Sequence, residues 1–457
     1  MNSCGRMEIE FGDTIMKHNK LCKEIIFVII CFILVSCTSC IFDGEKKKSS
    51  EEPVYEPDVV WKLETNAYGS TYQPTQNGQF LYLIECNYTS VNKGLEQEYK
   101  FSMTKVDLLD GHIVWTSPEI FRVNKSPVVV INGRLYVQTS GGYLYVIGDD
   151  DGKIDAVVSF NSIYMDRGPT MISCNGNLFW SNINCYNEGE GVIDEGLLKF
   201  DVSKIDFTLG PEQVQHIEPR LVWTDDVADV GILMRPVAKD GIVYFQTYDF
   251  WQEKHGSIIK TVAIDADSEV VKWQTPTTTM NGDGHMQIFD DKLYFFENVI
   301  SCYDLETGKC LKEKCRDTEK LETEVYIGAD SPAYYSDGKF YYTNNTSWAT
   351  SSIAGIPQNM VKNIICIDAK TFAYVWGDLP KGCGSLNSKP VVANGKTFVA
   401  TWGRGLRVYN SETGELIGAA ENIYTNPFAD PPQYNGCIYY FDADHKNLKK
   451  TLMAIKP

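Results

Sequence analysis

The sequence predicts an all-β fold, and three observations carry that expectation. Aromatic residues make up 12% of the 457-residue chain, with 26 Tyr, 21 Phe and 9 Trp, a usage that suits pleated strands better than helices. A turn dipeptide followed by an aromatic strand recurs eight times, at Asn77-Gly78, Asn132-Gly133, Asn175-Gly176, Asp240-Gly241, Asp290-Asp291, Asp337-Gly338, Asn394-Gly395 and Asn435-Gly436. Asn-Gly and Asp-Gly tolerate positive φ and are the strongest short hairpin signals. A second turn of the form Asp-x-x-Thr-Gly follows within most units, as at Asp304 to Gly308, and Trp115, Trp273 and Trp376 fall eight residues past their Asp.

Taken in chain order, the N-terminus addresses the protein. Residues 25–36 form an apolar run preceded by Lys17, Lys20 and Lys23, which reads as the h-region and n-region of a secretory signal over residues 1–36. The run is short for a bilayer span, although an uncleaved anchor helix is the alternative. Met16-Lys17-His18-Asn19-Lys20 would open such a signal naturally, so the true start is expected there if residues 1–15, which carry Glu8, Glu10 and Asp13, come from an upstream start. Leu34-Val35-Ser36-Cys37 resembles the bacterial lipobox and makes Cys37 the candidate lipidation site, with Cys40 as the fallback. Residues 37–58 are polar and without periodicity through most of their length, and are expected to be a flexible tether.

Residues 59–457 hold the repeats. The strands after the turns begin at Gln79, Arg134, Asn177, Ile242, Lys292, Lys339, Lys396 and Cys437, and Pro74, Pro127, Pro169, Pro236, Pro332 and Pro390 mark entries to the units. Trp223 holds the Trp place in the third unit, where an insertion follows Asp201. Turn-to-turn spacings of 41 to 65 residues suit one four-stranded sheet per unit. Such a sheet cannot bury both faces alone, so neighbours must stack, and closure into a ring gives an eight-bladed β-propeller of four-stranded antiparallel sheets. The last unit ends at Leu452–Ile455 without a Trp, while Val59-Val60-Trp61 stands alone at the front. Residues 59–64 are therefore expected to close the ring as the outermost strand of the last blade.

This pattern resembles the pyrroloquinoline-quinone-like (PQQ-like) repeat family, whose units read roughly Asp-x-x-Thr-Gly-x-x-x-Trp after an apolar pair. The resemblance spans about residues 59–457 and implies that Trp61, Trp115, Trp223, Trp273 and Trp376 dock between adjacent blades. Units two, five and seven depart from it, with Val158, Leu311 and Leu416 near that place. In anchor, repeat type and blade number the chain is similar to the propeller lipoprotein of the outer-membrane β-barrel assembly machinery.

Some members of the family are quinoprotein dehydrogenases, and that resemblance would imply a disulfide between adjacent cysteines, a bound Ca²⁺ and an aspartate base. No Cys-Cys pair occurs in this sequence, and no Glu/Asn/Asp set for Ca²⁺ stands out. Asp149-Asp150-Asp151-Gly152 and Asn281-Gly282-Asp283-Gly284 read as turns. The six histidines show no metal-ligand spacing, and His285 reads as a loop residue. Neither a Gly-x-Ser-x-Gly elbow nor a phosphate loop is present. Cys302 and Cys310 flank one turn and could bridge in an oxidising compartment or stay as buried free thiols. The net charge of −18 argues against nucleic acid as a partner. The expectation is a lipid-anchored bacterial envelope protein, membrane-bound through its N-terminal lipid, acting as a non-enzymatic scaffold for other envelope proteins. It has no expected cofactor, metal or catalytic residue. A PQQ-dependent dehydrogenase and a carbohydrate- or peptide-binding surface protein are the alternatives.

Overall fold

The structure is a computed structural model, and it describes residues 53–65, 74–87, 100–121, 123, 128–139, 142–160, 171–182, 186–187, 191–192, 196–224, 230–232, 236–249, 257–275, 278–280, 285–296, 300–314, 331–344, 362–379, 388–401, 405–420, 431–444 and 449–457. Eight antiparallel sheets follow one another along the chain, at 75–116, 129–159, 172–224, 237–274, 285–314, 334–378, 391–420 and 433–456, here blades 1 to 8. Each has four core strands in sequence order, except that the outermost strand of blade 8 is Asp58–Thr65 from the front of the chain. It pairs antiparallel with Lys449–Lys456, placing Trp61 opposite Ala454. The expected closure by the first strand is what the fold contains.

Why the sheets form a ring follows from their two-faced hydrophobicity. Along each strand alternate residues point to opposite faces, and here both faces are apolar. In blade 6, Phe340, Ile365 and Ile367 pack against Tyr294, Phe296 and Ile300 of blade 5. Tyr341, Ile364 and Cys366 pack the other way, against Val399 and Tyr409 of blade 7. Eight such clusters fill eight seams, and the one between Leu452 and Ala454 of blade 8 and Leu81 and Val106 of blade 1 joins the two ends of the chain.

The first hairpin of each blade turns as its sequence requires. Asn132 (φ 49°) and Gly133 (φ 73°) are both left-handed, and the same pair of signs recurs at Asn175, Asp240, Asp337, Asn394 and Asn435 with their glycines. Blade 1 differs by one residue: Asn77 pairs with Phe80, so the loop is Gly78-Gln79 and the strand starts at Phe80 rather than Gln79. Blade 5 has no glycine, and Asp290 and Asp291 take φ of 45° and 58° themselves.

Three features depart from the sequence reading. The tether gives way to fixed structure before residue 59, because Tyr55 N–H donates to Ala419 O and Ala419 N–H to Pro53 O, both at 2.9 Å. His285 is the first residue of a strand, opposite Phe296, rather than a loop residue. The residues at the Trp place in units two, five and seven are Ala156, Lys312 and Gly418. Each follows the β-bulge that also precedes Trp115, Trp273 and Trp376, so Val158, Leu311 and Leu416 fall out of register.

Candidate functional site

The residues singled out by the repeat pattern sit in the seams, where each blade reaches its successor. The ring of Trp61, on blade 8, lies over Gly111 of blade 1 so closely that a Cβ there would come within 2.5 Å of it. Trp115 lies over Gly152, Trp273 over Gly308 and Trp376 over Gly414 in the same way. Those glycines have φ between 68° and 77°, and both the left-handed backbone and the overlying ring exclude a side chain. The indole N–H fixes the ring's orientation: Trp115 donates to Asp149 O (2.7 Å), Trp273 to Leu305 O (2.9 Å) and Trp376 to Ser411 O (2.9 Å).

A tyrosine on the second strand works beside each of these tryptophans. Tyr439 donates to Leu108 O (2.7 Å), Tyr341 to Ser411 O (3.2 Å) and Tyr244 to Leu305 O (3.4 Å). Tyr82 donates to the Asp149 carboxylate at 2.6 Å. Burial pushes these phenols above their ordinary range, to about 12 for Tyr244, and for Tyr82 the Asp149 charge adds to it. Lys105, buried over the Phe80 ring, completes the blade 1/2 network with a 2.7 Å ion pair to Asp149. The Tyr–Trp ring centroids lie 5.6 to 6.2 Å apart in all four seams. The tyrosines were visible as the aromatic third residue after each turn, but nothing local distinguishes a seam residue from an ordinary strand residue.

The other four seams are closed differently. Trp223 packs edge-on against Phe245 of blade 4 at 4.9 Å, and the residue in the glycine place there is Glu269, left-handed at φ 61°. Glu269 accepts from Lys199 at 3.1 Å and pairs with Arg220. Lys312 reaches Lys370 O (2.8 Å), its ammonium over Phe372, which, like Glu269 in blade 4, stands in the place glycine takes in four of these turns. At Ala156 the blade 3 insertion folds back: Gln215–His216 adds a parallel strand to Val158–Ser159, His216 bonds Ser159 Oγ at 2.8 Å, and Phe207 lies under Arg134. At Gly418 the chain supplies Tyr55, whose ring meets Phe398 at 6.2 Å. Phe372 could have been found as the break in Asp-x-x-Thr-Gly, whereas Tyr55, a lone aromatic between two prolines in a polar stretch, carries no signal of the seam it fills.

A belt of buried polar residues caps the seams at the strand ends opposite the Asn-Gly turns. In blades 2 and 7 a Thr stands at the end of the second strand, and in blade 4 two residues before it: Thr139 and Thr247 accept from Tyr143 and Lys260 N–H (3.1 and 3.3 Å), and Thr401 donates to Gly405 O (2.7 Å). Blade 6 has Asn344 beside Asn363, joined by an Asn344 N–H to Asn363 O bond of 2.8 Å. Their side chains are fully buried, and among the described residues Asn344 Nδ2 and both polar atoms of Asn363 have no hydrogen-bond partner. By strand alternation they face blade 5, above Phe296 and Tyr342. A separate polar cavity of about 230 Å³ on blade 3 is lined by Asn177, Lys199, Asp201, Lys204, Glu218 and Arg220, three bases against two acids.

Cys37 and residues 281–284, expected to form a turn, lie outside the described residues. Asp149–Gly152 is a turn, as read. Cys302 and Cys310 are free, with Cys310 exposed, and the bulge sets Cys302 opposite Lys312. No group of three or more metal-ligating side chains occurs among the described residues.

No protein-family model matches the sequence, and no curated protein matches it. Solved structures do match. BamB from Moraxella catarrhalis is 12% identical with a TM-score of 0.53, over 87% of this chain and 98% of that one. A europium-containing methanol dehydrogenase is 13% identical with a TM-score of 0.58, over 89% and 96%. Quinohemoprotein alcohol dehydrogenase from Comamonas testosteroni is 13% identical with a TM-score of 0.53, over 87% and 76%. At these identities the likeness is one of fold, a PQQ-like β-propeller that BamB shares with the two dehydrogenases.

Proposed function

We propose that this is a lipid-anchored protein of a bacterial cell envelope whose propeller is a non-enzymatic scaffold for other envelope proteins. The observation that carries the reading is the pairing of Leu34-Val35-Ser36-Cys37 and its polar tether with a closed eight-bladed ring. A ring of this kind spans nearly all of BamB, and its seams, each stitched by an aromatic, make a rigid platform for loops. Metabolic labelling with a fatty acid tests the anchor: label is expected on the protein and absent from Cys37→Ala, and label persisting on Cys37→Ala rejects it. A pull-down from detergent-solubilised envelope tests the scaffold, which predicts stoichiometric protein partners.

The likeness to the europium-containing methanol dehydrogenase, over 89% of the chain, favours a second reading as a quinone-dependent dehydrogenase. The sequence has no adjacent cysteine pair, a feature that resemblance to those enzymes would bring. Reconstitution with the quinone and a Ca²⁺ or lanthanide ion separates the readings: stoichiometric quinone uptake with metal-dependent alcohol oxidation would replace the scaffold by the enzyme.

A further inference from the structure

We propose that the outermost edge of blade 7 is a receptor groove for an extended segment carrying a proline and, two residues later, a tyrosine, and that Pro53-Val54-Tyr55 fills it in cis. The groove is built from three parts. Its wall is the free edge of Leu416–Ala420, which takes the segment as a parallel strand through the Ala419 N–H to Pro53 O and Tyr55 N–H to Ala419 O bonds. Its floor is Gly418. The equivalent place holds Trp in five blades, Lys312 in blade 5 and Ala156 in blade 2. A Cβ on Gly418 would sit 2.9 Å from both Pro53 O and Tyr55 N, so glycine is the one residue that admits the segment's backbone. Its specificity pocket is the seam beyond, where the Tyr55 ring packs edge-on against Phe398 and among the apolar residues shared with blade 8. Lys396 places its ammonium 5.7 Å from the same ring, a favourable cation–π arrangement.

The position of that ring is what makes the segment a ligand rather than a passing chain. Tyr82–Trp115, Tyr244–Trp273, Tyr341–Trp376 and Tyr439–Trp61 each pair a second-strand aromatic with a docking tryptophan at 5.6 to 6.2 Å. Phe398–Tyr55 repeats this pair at 6.2 Å, with the docking ring delivered by a separate strand. Backbone pairing for affinity and one side-chain pocket for selectivity is the way exposed sheet edges recognise extended peptides. The gap between blades is thus a site, and its occupant fixes where the leader-side chain leaves the ring, at the blade 7/8 seam. A partner offering the same chemistry would have to outcompete a segment held at millimolar effective concentration. The proposal is independent of lipidation at Cys37.

The full-length chain tests it in two arms. Amide hydrogen exchange over residues 53–58 should be at least tenfold faster in Gly418→Val than in the unchanged protein, whereas Tyr55→Phe, which keeps the ring, should match the unchanged protein. Tyr55→Pro removes both the N–H donor and the ring, and so empties the groove. A fluorescent peptide of residues 50–58 should then bind this variant in trans and raise its melting temperature, while binding the unchanged protein at least tenfold more weakly. Binding should vanish when Gly418→Val is added. Protection at 53–58 undiminished in Gly418→Val, or a peptide that fails to bind folded Tyr55→Pro protein or binds it equally well with Gly418→Val present, overturns the proposal.

Discussion

Blade 1 closes on blade 2 with its own tryptophan, whereas blade 7 closes on blade 8 with an aromatic from elsewhere. In the first seam every part is local to a repeat: Trp115 lies four residues after Gly111, and its receiving Gly152 sits at the same place in the next unit. In the second, Gly418 leaves a vacancy and Tyr55, from the far end of the sequence, fills it. Lys312 with Phe372, and Ala156 beside the insertion bearing Phe207, are two more ways of filling the same space. The seam needs a ring of aromatic size because each blade's face is apolar and close packing leaves no tolerance for a void. It does not need that ring to come from a particular strand.

The largest test of this comparison removes a whole strand. Deleting residues 59–64 takes away the outer strand of blade 8 and with it Trp61, the ring over Gly111. The exposed edge of Lys449–Lys456 would then be open to aggregation. We expect a much lower melting temperature and a loss of solubility, against no change on deleting residues 43–52. Equal melting temperatures for the two truncations would break the closure of the ring.

Next in size is a pair of glycine substitutions that separates ring contact from backbone strain. Gly111 and Gly133 have nearly equal φ, 77° and 73°, but only Gly111 lies under a tryptophan, and a Cβ on Gly133 meets nothing within 4 Å. Gly133→Ala should cost the left-handed penalty alone, about 1–2 kcal/mol. Gly111→Ala adds overpacking against Trp61, a further ~1–3 kcal/mol. Denaturant melts give both numbers, and equal losses would mean that the indole moves aside freely.

The two kinds of seam also explain what could be read in advance. The ring, its eight units and its closing strand were legible because each signal lies within one short window: a turn dipeptide, an aromatic strand, an Asp-x-x-Thr-Gly turn, a Trp. The tryptophans could be named for the same reason. Register was harder. The Trp place lies four residues past the glycine of the preceding turn, so Gly152, Gly308 and Gly414 point to Ala156, Lys312 and Gly418, whereas the nearby apolar residues Val158, Leu311 and Leu416 fall on other register positions. Tyr55 and Phe207 were out of reach, since a single aromatic in a polar stretch or an insertion does not say which distant vacancy it fills. The buried Asn344–Asn363 pair was equally hidden, because burial of a polar residue at a strand end depends on what covers it.

A smaller effect should appear in alkali, and it too divides the seams. Burial raises the phenols of Tyr82, Tyr244, Tyr341 and Tyr439 above their ordinary value near 10. A group whose folded pKa is raised contributes stability that is complete below its unfolded pKa and is lost as pH rises toward the folded one. Stability should therefore fall from about pH 10, and for the blade 4/5 seam the loss should run to about pH 12, where Tyr244 ionises. Tyr244→Phe should lose the weak bond to Leu305 O at neutral pH but flatten the alkaline limb. Phe179 and Phe398 hold the same place in blades 3 and 7 and bring no phenol there; the groups that burial raises in those seams are instead Cys174, and Tyr55 with Tyr440. An unchanged alkaline limb in Tyr244→Phe would place the titration elsewhere.

The smallest expected effect concerns the one first hairpin built without glycine. Asp290 and Asp291 both sit in the left-handed region, at φ of 45° and 58°, where a Cβ costs about 1–2 kcal/mol per residue, somewhat less for Asp. Six other blades place glycine second in this turn and have φ near 70° there. Asp291→Gly should relieve the strain, and it removes one charge from a chain of net charge −18. Against this stand the ion pair from Lys239 to Asp291, an exposed contact of the kind worth about 0–1 kcal/mol, and the greater freedom of glycine in the unfolded chain. The Tyr335 hydroxyl bond to Asp290 (2.7 Å) is untouched by this change. The balance should be a small gain at high salt, where the ion pair is screened, shrinking toward zero at low salt. Denaturant melts at two ionic strengths decide it: a loss at high salt would mean that Asp291 holds the turn by something other than its charge.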